Sequence, residues 1–195
     1  MKVAIGFKAH SGWAAMVALG LQEEHLQLAD RRQVPLVDAC DAGWSRQPYH
    51  AAEGMIPARA QALVQQGIEA ARRVAVENIA LLLQQLQDAG HDIAGAAVLT
   101  GSPMPAWSTQ EILAVHIRMH QAEGHLFPDA LAAAIAGCGL PLGLIPEREL
   151  DQLAPSVCPW KTEIAALGKW AGPPWGVDQK HAAMAAMVMF GSRLH

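Results

Sequence analysis

The chain has 195 residues, 52% of them hydrophobic and 16% charged, with a net charge of −4. That is enough apolar material for a sizeable core in one domain, taken here as residues 1–195, and it excludes a disordered tail. A pI of about 6.1 argues against a protein that coats nucleic acid or an anionic membrane.

Cys40, Cys138 and Cys158 are too few and too scattered for a disulfide framework or a zinc site, and their odd number fits a reducing cytoplasm. No apolar run reaches the roughly 18 residues of a membrane span. Gly12–Leu21 imitates the core of a secretory signal, but no small-x-small cleavage site follows, so it reads as a buried strand.

Val3–Phe7 is the first predicted strand and Gly12–Leu19 the second. A third covers His25–Asp30 and Gln33–Val37, bulged around Arg31-Arg32. The short intervals between them predict an antiparallel meander. Cys40–Gly54 reads as a loop. Pro57 then opens a long amphipathic helix, Ala58–Ala89, with a possible break at Gly67 and a stop at Gly90. Ile93–Leu99 is a strand covered on both faces. Ser108-Thr109-Gln110-Glu111 is a capping box that opens a helix to about Ala122. Gly124 interrupts it, and Pro128–Ala136 continues as a second helical stretch. Leu140–Ile145 is the last strand. A short helix near Trp160–Leu167 and an Ala/Met-rich helix over Asp178–Phe190 close the chain.

The order β-β-β-α-β-α-β-α predicts an α/β fold. Three antiparallel strands and then two parallel ones form a mixed five-stranded sheet with helices on both faces. Ligand crevices in such sheets form where strand connections diverge at carboxyl ends. Here that place is bounded by Lys8–Gly12, Thr100–Pro103 and the loop Gly172–Asp178. Lys8 and Ser11 can hold a phosphate or carboxylate. His10, Thr100, Ser102 and Lys180 are the other polar candidates. Asp178 can orient His181 or accept a metal, or can simply be an N-cap. Trp107 and Trp175 can stack on a ring, or close the core under a loop.

His116, His120 and Glu123 are spaced i, i+4, i+7 and share one helix face. They can hold a divalent metal, or form an ordinary polar face. There is no P-loop, no GxGxxG after the first strand, no GxSxG and no CxxC. Arg31-Arg32 and Arg72-Arg73 read as solvated pairs rather than a nucleic-acid stripe.

VAIGF at the first strand, the long first helix, AAVLTG, LPLGLI and a closing helix that begins VDQKHAAMAA together resemble the ribonuclease H-like superfamily. The resemblance is closest to the RuvC-type Holliday-junction resolvase branch. It implies a two-metal nuclease whose carboxylates hold two divalent ions. Here the first-strand acid of that family falls at or beside Lys8 and the fourth-strand acid at Thr100. Asp178 takes the first acidic position of the last helix, and His181 the second. The expectation is therefore a ribonuclease H-like domain without the usual nuclease site. Its crevice takes a small anionic or phosphate-bearing ligand, with Asp178, His181 and Glu123 as acid–base or metal groups. Two alternatives stay open. One is a homodimeric scaffold built on the small-residue face Gly67, Ala71 and Ala75. The other is a structure-specific nucleic-acid binder.

Overall fold

The computed structural model describes residues 1–23, 25–41, 43–153 and 158–191. Strands β1 (Lys2–His10) and β2 (Trp13–Gln22) form a hairpin across Ser11-Gly12, with partners from His10↔Trp13 to Val3↔Gly20. Gly12 has φ 89°, a left-handed turn conformation that a side chain would strain. β3 (His25–Pro35) pairs antiparallel with β2, while β4 (Asp92–Thr100) runs parallel to β1 and β5 (Leu142–Pro146) parallel to β4. The sheet order is β3-β2-β1-β4-β5, which is the expected fold class. Two details differ from expectation. β1 runs past Phe7 to His10, so Lys8 and His10 lie on the strand and not in a loop. The register shift in β3 falls where Ala18 and Leu19 pair with Asp30 and Leu28, leaving Ala29 as the extra residue ahead of the two arginines.

Helix α1 (Pro48–Ala51) precedes α2 (Pro57–Asp88), which runs unbroken through Gly67 for 32 residues. Gly67 is a contact and not a hinge. A Cβ there would lie 2.6 Å from the Pro48 Cβ, so its absence lets α1 bed against α2. The same packing corrects the dimer-face expectation: Gly67, Ala71 and Ala75 are buried inside the molecule.

The capping box forms, with Ser108 and Glu111 satisfying each other's backbone N–H, but it opens only α3 (Thr109–Leu113). Extended Val115 then breaks the chain, and α4 (His116–Gly137) passes through Gly124 and Pro128 without interruption. The buried stripe from Met119 through Leu126, Phe127 and Leu131 to Ile135 explains this. Its burial outweighs the ~1 kcal/mol that a helical glycine costs.

After α5 (Leu150–Leu153), α6 (Cys158–Ala171) and α7 (Val177–Gly191) complete the chain. The Cys158 side chain lies outside the described residues; Cys40 and Cys138 are free, exposed thiols. α2 and α4 cover one sheet face over Ile5, Phe7, Met16 and Val98. α7, with α5 and α6, covers the other over Ala4, Val17, Ala97 and Leu99. α7 lies in a shallow trough, because a Cβ on Gly6 would fall 1.8 Å from the Ala182 carbonyl oxygen. A third, smaller cluster joins Tyr49, Ala60, Val64, Ile112 and Met119 beside the start of α4. Among the described residues no helix is long and apolar enough to cross a membrane.

Candidate crevice and histidine cluster

Period-two alternation sends Gly6, Lys8 and His10 to the α7 face of the sheet. Lys8 is only 13% exposed, and its Nζ lies 2.6 Å from Glu147 Oε1 and 3.4 Å from Asp178 Oδ1. It also lies 3.3 Å from His181 Nδ1, which is itself 3.1 Å from Glu147 Oε1. The two histidine contacts need opposite tautomers. Nδ1–H donates to Glu147, whereas a bare Nδ1 accepts from Lys8. His10 Nε2 stands 3.1 Å from Asp178 Oδ2, an ion-pair distance without hydrogen-bond alignment. One ammonium thus sits among two carboxylates and the His181 imidazole, with His10 on the other oxygen of Asp178. Burial alone would raise the Glu147 carboxyl, but hydrogen bonds and charge from Lys8, then His181, hold it below its ordinary value.

Asp178 is not the N-cap of α7. Gly176 precedes the helix, its carbonyl accepting from Lys180 N–H and its N–H donating to Gln179 Oε1 at 2.9 Å. That leaves the Asp178 carboxylate, in the first turn, to face Lys8 and His10. Ser11 is exposed in the β-turn beside His10. Thr100 pairs with Pro146 at the tip of β4, and the Ser102 carbonyl accepts from His125 Nε2 at 2.8 Å, so this tip is tied to α4. Trp175 spends its indole N–H on the Ile164 carbonyl, with its ring in the space that Gly168 leaves open. Trp107 is covered by the Arg118 guanidinium, 4.4 Å from its ring centroid. Lys180 lines a separate cavity with Asp151, Lys161 and His181. Sequence reasoning missed Glu147. It follows β5 directly, so extending the strand-end rule by one strand would have found it.

Beside this network lies a cavity of about 410 Å3, lined by Trp13, Ala15, Arg31, Arg32, Gln33, Pro174, Asp178 and Gln179. The Trp13 ring stacks on His10 with centroids 4.4 Å apart. The Arg31 guanidinium donates to the carbonyls of Gly172 and Pro174, and among the described residues no carboxylate pairs with it. Arg32 is paired with Asp30 and bonds to Gln85.

The predicted triad on α4 is rearranged. His116 and His120 face each other with their Nε2 atoms 3.1 Å apart. Glu123 turns inward, where its Oε1 accepts from the backbone N–H of Tyr49 at 2.9 Å and of His50 at 3.2 Å. His50 Nδ1 lies 3.3 Å from the same oxygen. The third histidine of the group is therefore His50. His50, His116 and His120 can hold a metal ion, with their ligand atoms all within 4.8 Å of one another. Nothing periodic marks His50 in the sequence, since it sits on a single helical turn. Burial raises the Glu123 carboxyl, against the lowering effect of the His50 and Tyr49 donors.

The sheet order and the helices on both faces match a ribonuclease H-like topology. No family model and no curated protein sequence matches the chain. Solved structures share the fold. The Thermus thermophilus RuvC structure superposes with a TM-score of 0.53 at 10% identity over 98% of this chain and 96% of that one. T. thermophilus RuvC in complex with Holliday junction substrate gives 0.53 at 12% identity over 100% and 96%. The likeness is one of fold. The residues at the centre here are a lysine clamped by Glu147 and Asp178, and a histidine cluster.

Proposed function

We propose that the domain binds a small anionic ligand, one that carries a phosphate, in the cavity between β2, β3 and the start of α7. The observation that carries this reading is the Arg31 guanidinium, unpaired by any carboxylate among the described residues, in a cavity that Trp13 also lines. A planar fork of N–H donors suits phosphate oxygens, and the indole suits a planar group attached to them. A volume of about 410 Å3 falls in the range of small-molecule sites. Lys8 supports the reading indirectly. Its charge is met by Glu147 and Asp178, so the anion is taken by the arginines, while Lys8 fixes Asp178 at the wall. His10 meets Asp178 at that wall, and His181 meets Lys8 behind it.

Calorimetric titration with AMP, adenosine and inorganic phosphate tests this. AMP should bind at least about tenfold more tightly than adenosine, and Arg31→Gln should cost AMP about a factor of ten. Equal affinities for AMP and adenosine, or no binding of AMP or phosphate, would overturn it.

A further inference from the structure

On the opposite side of β1, the histidine cluster carries an inference independent of the arginine cavity. His116 and His120 stand one turn apart on α4, which brings their rings together, centroids 4.6 Å apart. His50 arrives from α1, its ring centroid 4.7 Å from that of His120 and 5.5 Å from that of His116. What aims it is Glu123. One carboxylate oxygen receives two backbone N–H groups of α1 and stands 3.3 Å from His50 Nδ1. That oxygen already stands as an acceptor of two N–H groups, so the Nδ1 facing it carries the proton and Nε2 the lone pair. His50 Nε2 is buried and has no hydrogen-bond partner. A buried imidazole nitrogen left bare is costly unless something occupies its lone pair.

A divalent ion does that for all three rings at once. Tetrahedral zinc with Zn–N bonds of about 2.0–2.1 Å sets neighbouring nitrogens about 3.3–3.4 Å apart. His116 Nε2 and His120 Nε2 are already 3.1 Å apart. An all-imidazole set favours zinc-like borderline ions over Mg²⁺ or Ca²⁺, which take oxygen ligands. The carboxylate behind a ligating histidine is the usual outer support of such sites. Three protein ligands leave a fourth position. His120 and Glu123 also line a cavity of about 240 Å3 with His10, Ser11, Gln47 and Gly124. We propose that His50, His116 and His120 bind one Zn²⁺ ion, oriented by Glu123, with an open coordination position toward this cavity. The ion would supply a bound water of lowered pKa there.

The experiment uses the full chain, freed of metal with a chelator and then titrated with Zn²⁺ against a chromophoric competitor and with Co²⁺ by visible absorption. One equivalent should bind, with the intense d–d bands of four- or five-coordinate Co²⁺. The H116A/H120A variant alters exposed side chains and should fold; it should lose at least about a hundredfold in affinity. Glu123→Gln should lose about 10–100-fold. Added azide should shift the Co²⁺ spectrum through the open position. Zn²⁺ affinity equal in wild type and H116A/H120A would overturn the site. Undiminished affinity in a folded His50→Ala variant would reduce it to a surface pair and overturn the three-ligand centre. A Co²⁺ spectrum unmoved by azide would overturn the open position. Arg31→Gln should leave Zn²⁺ affinity unchanged, so this result and the AMP titration fail separately.

Discussion

Lys8 shows how one side chain sets the character of the crevice. Its alkyl stem crosses apolar surface, and its ammonium lies between Glu147 and Asp178. Replacing it with methionine keeps the stem and leaves two carboxylates facing each other. Lys8→Met should cost about 1–3 kcal/mol at neutral pH, read by urea denaturation. Glu147 gives the pH signature. Its folded value is depressed, so its contribution is complete above the ordinary carboxylate value and is lost as pH falls through the lowered one. Glu147→Gln should flatten the stability profile over that acidic window; a profile identical to wild type would contradict the clamp. At this scale the sequence was legible where the strand-end rule applied, which singled out Lys8, His10, Asp178 and His181. Glu147 lay within reach of the same rule, one strand further on at β5. His50 was not legible, because Glu123, the carboxylate that aims it, lies 73 positions away in the chain.

Elements were legible where a hydrophobic rhythm had no rival. The sheet, α2 and the Ser108 capping box follow from local pattern alone. The boundary between α3 and α4 did not. A glycine and a proline inside an apolar stripe read as a stop, yet packing against α2 and the sheet holds the stripe helical. The glycines that matter lie instead where elements touch. Gly6→Ala would drive a methyl into the Ala182 carbonyl at 1.8 Å, backbone against backbone, with no flexible side chain to yield. It should destabilise by about 3 kcal/mol or more, measured by thermal or urea unfolding, whereas Gly54→Ser, in open space at φ 74°, should cost much less.

On the scale of the molecule, the two groups of chemistry lie on either side of β1. The Lys8 network faces α7, and the histidines collect at the α1–α4 junction. The arginine cavity was not legible in the sequence, because β3 reads as a solvated edge until the loop at Gly172–Pro174 folds over Arg31. A fixed ammonium between the crevice carboxylates repels a divalent cation. Mg²⁺ should therefore leave the melting temperature of the wild type unchanged, while Lys8→Met should gain a Mg²⁺-dependent rise. A rise of equal size in both would show that the ion binds elsewhere.

The trough that Gly6 leaves for α7 has a consequence for recognition. A helix whose backbone comes this close to the strand cannot slide or tilt without colliding with it, so Asp178 and His181 are held in place relative to Lys8. A ligand at that wall would lose little freedom to rearrangement, because the wall is cast before the visitor arrives. Ligands that differ in fit should then differ mainly in how long they stay, with similar rates of arrival.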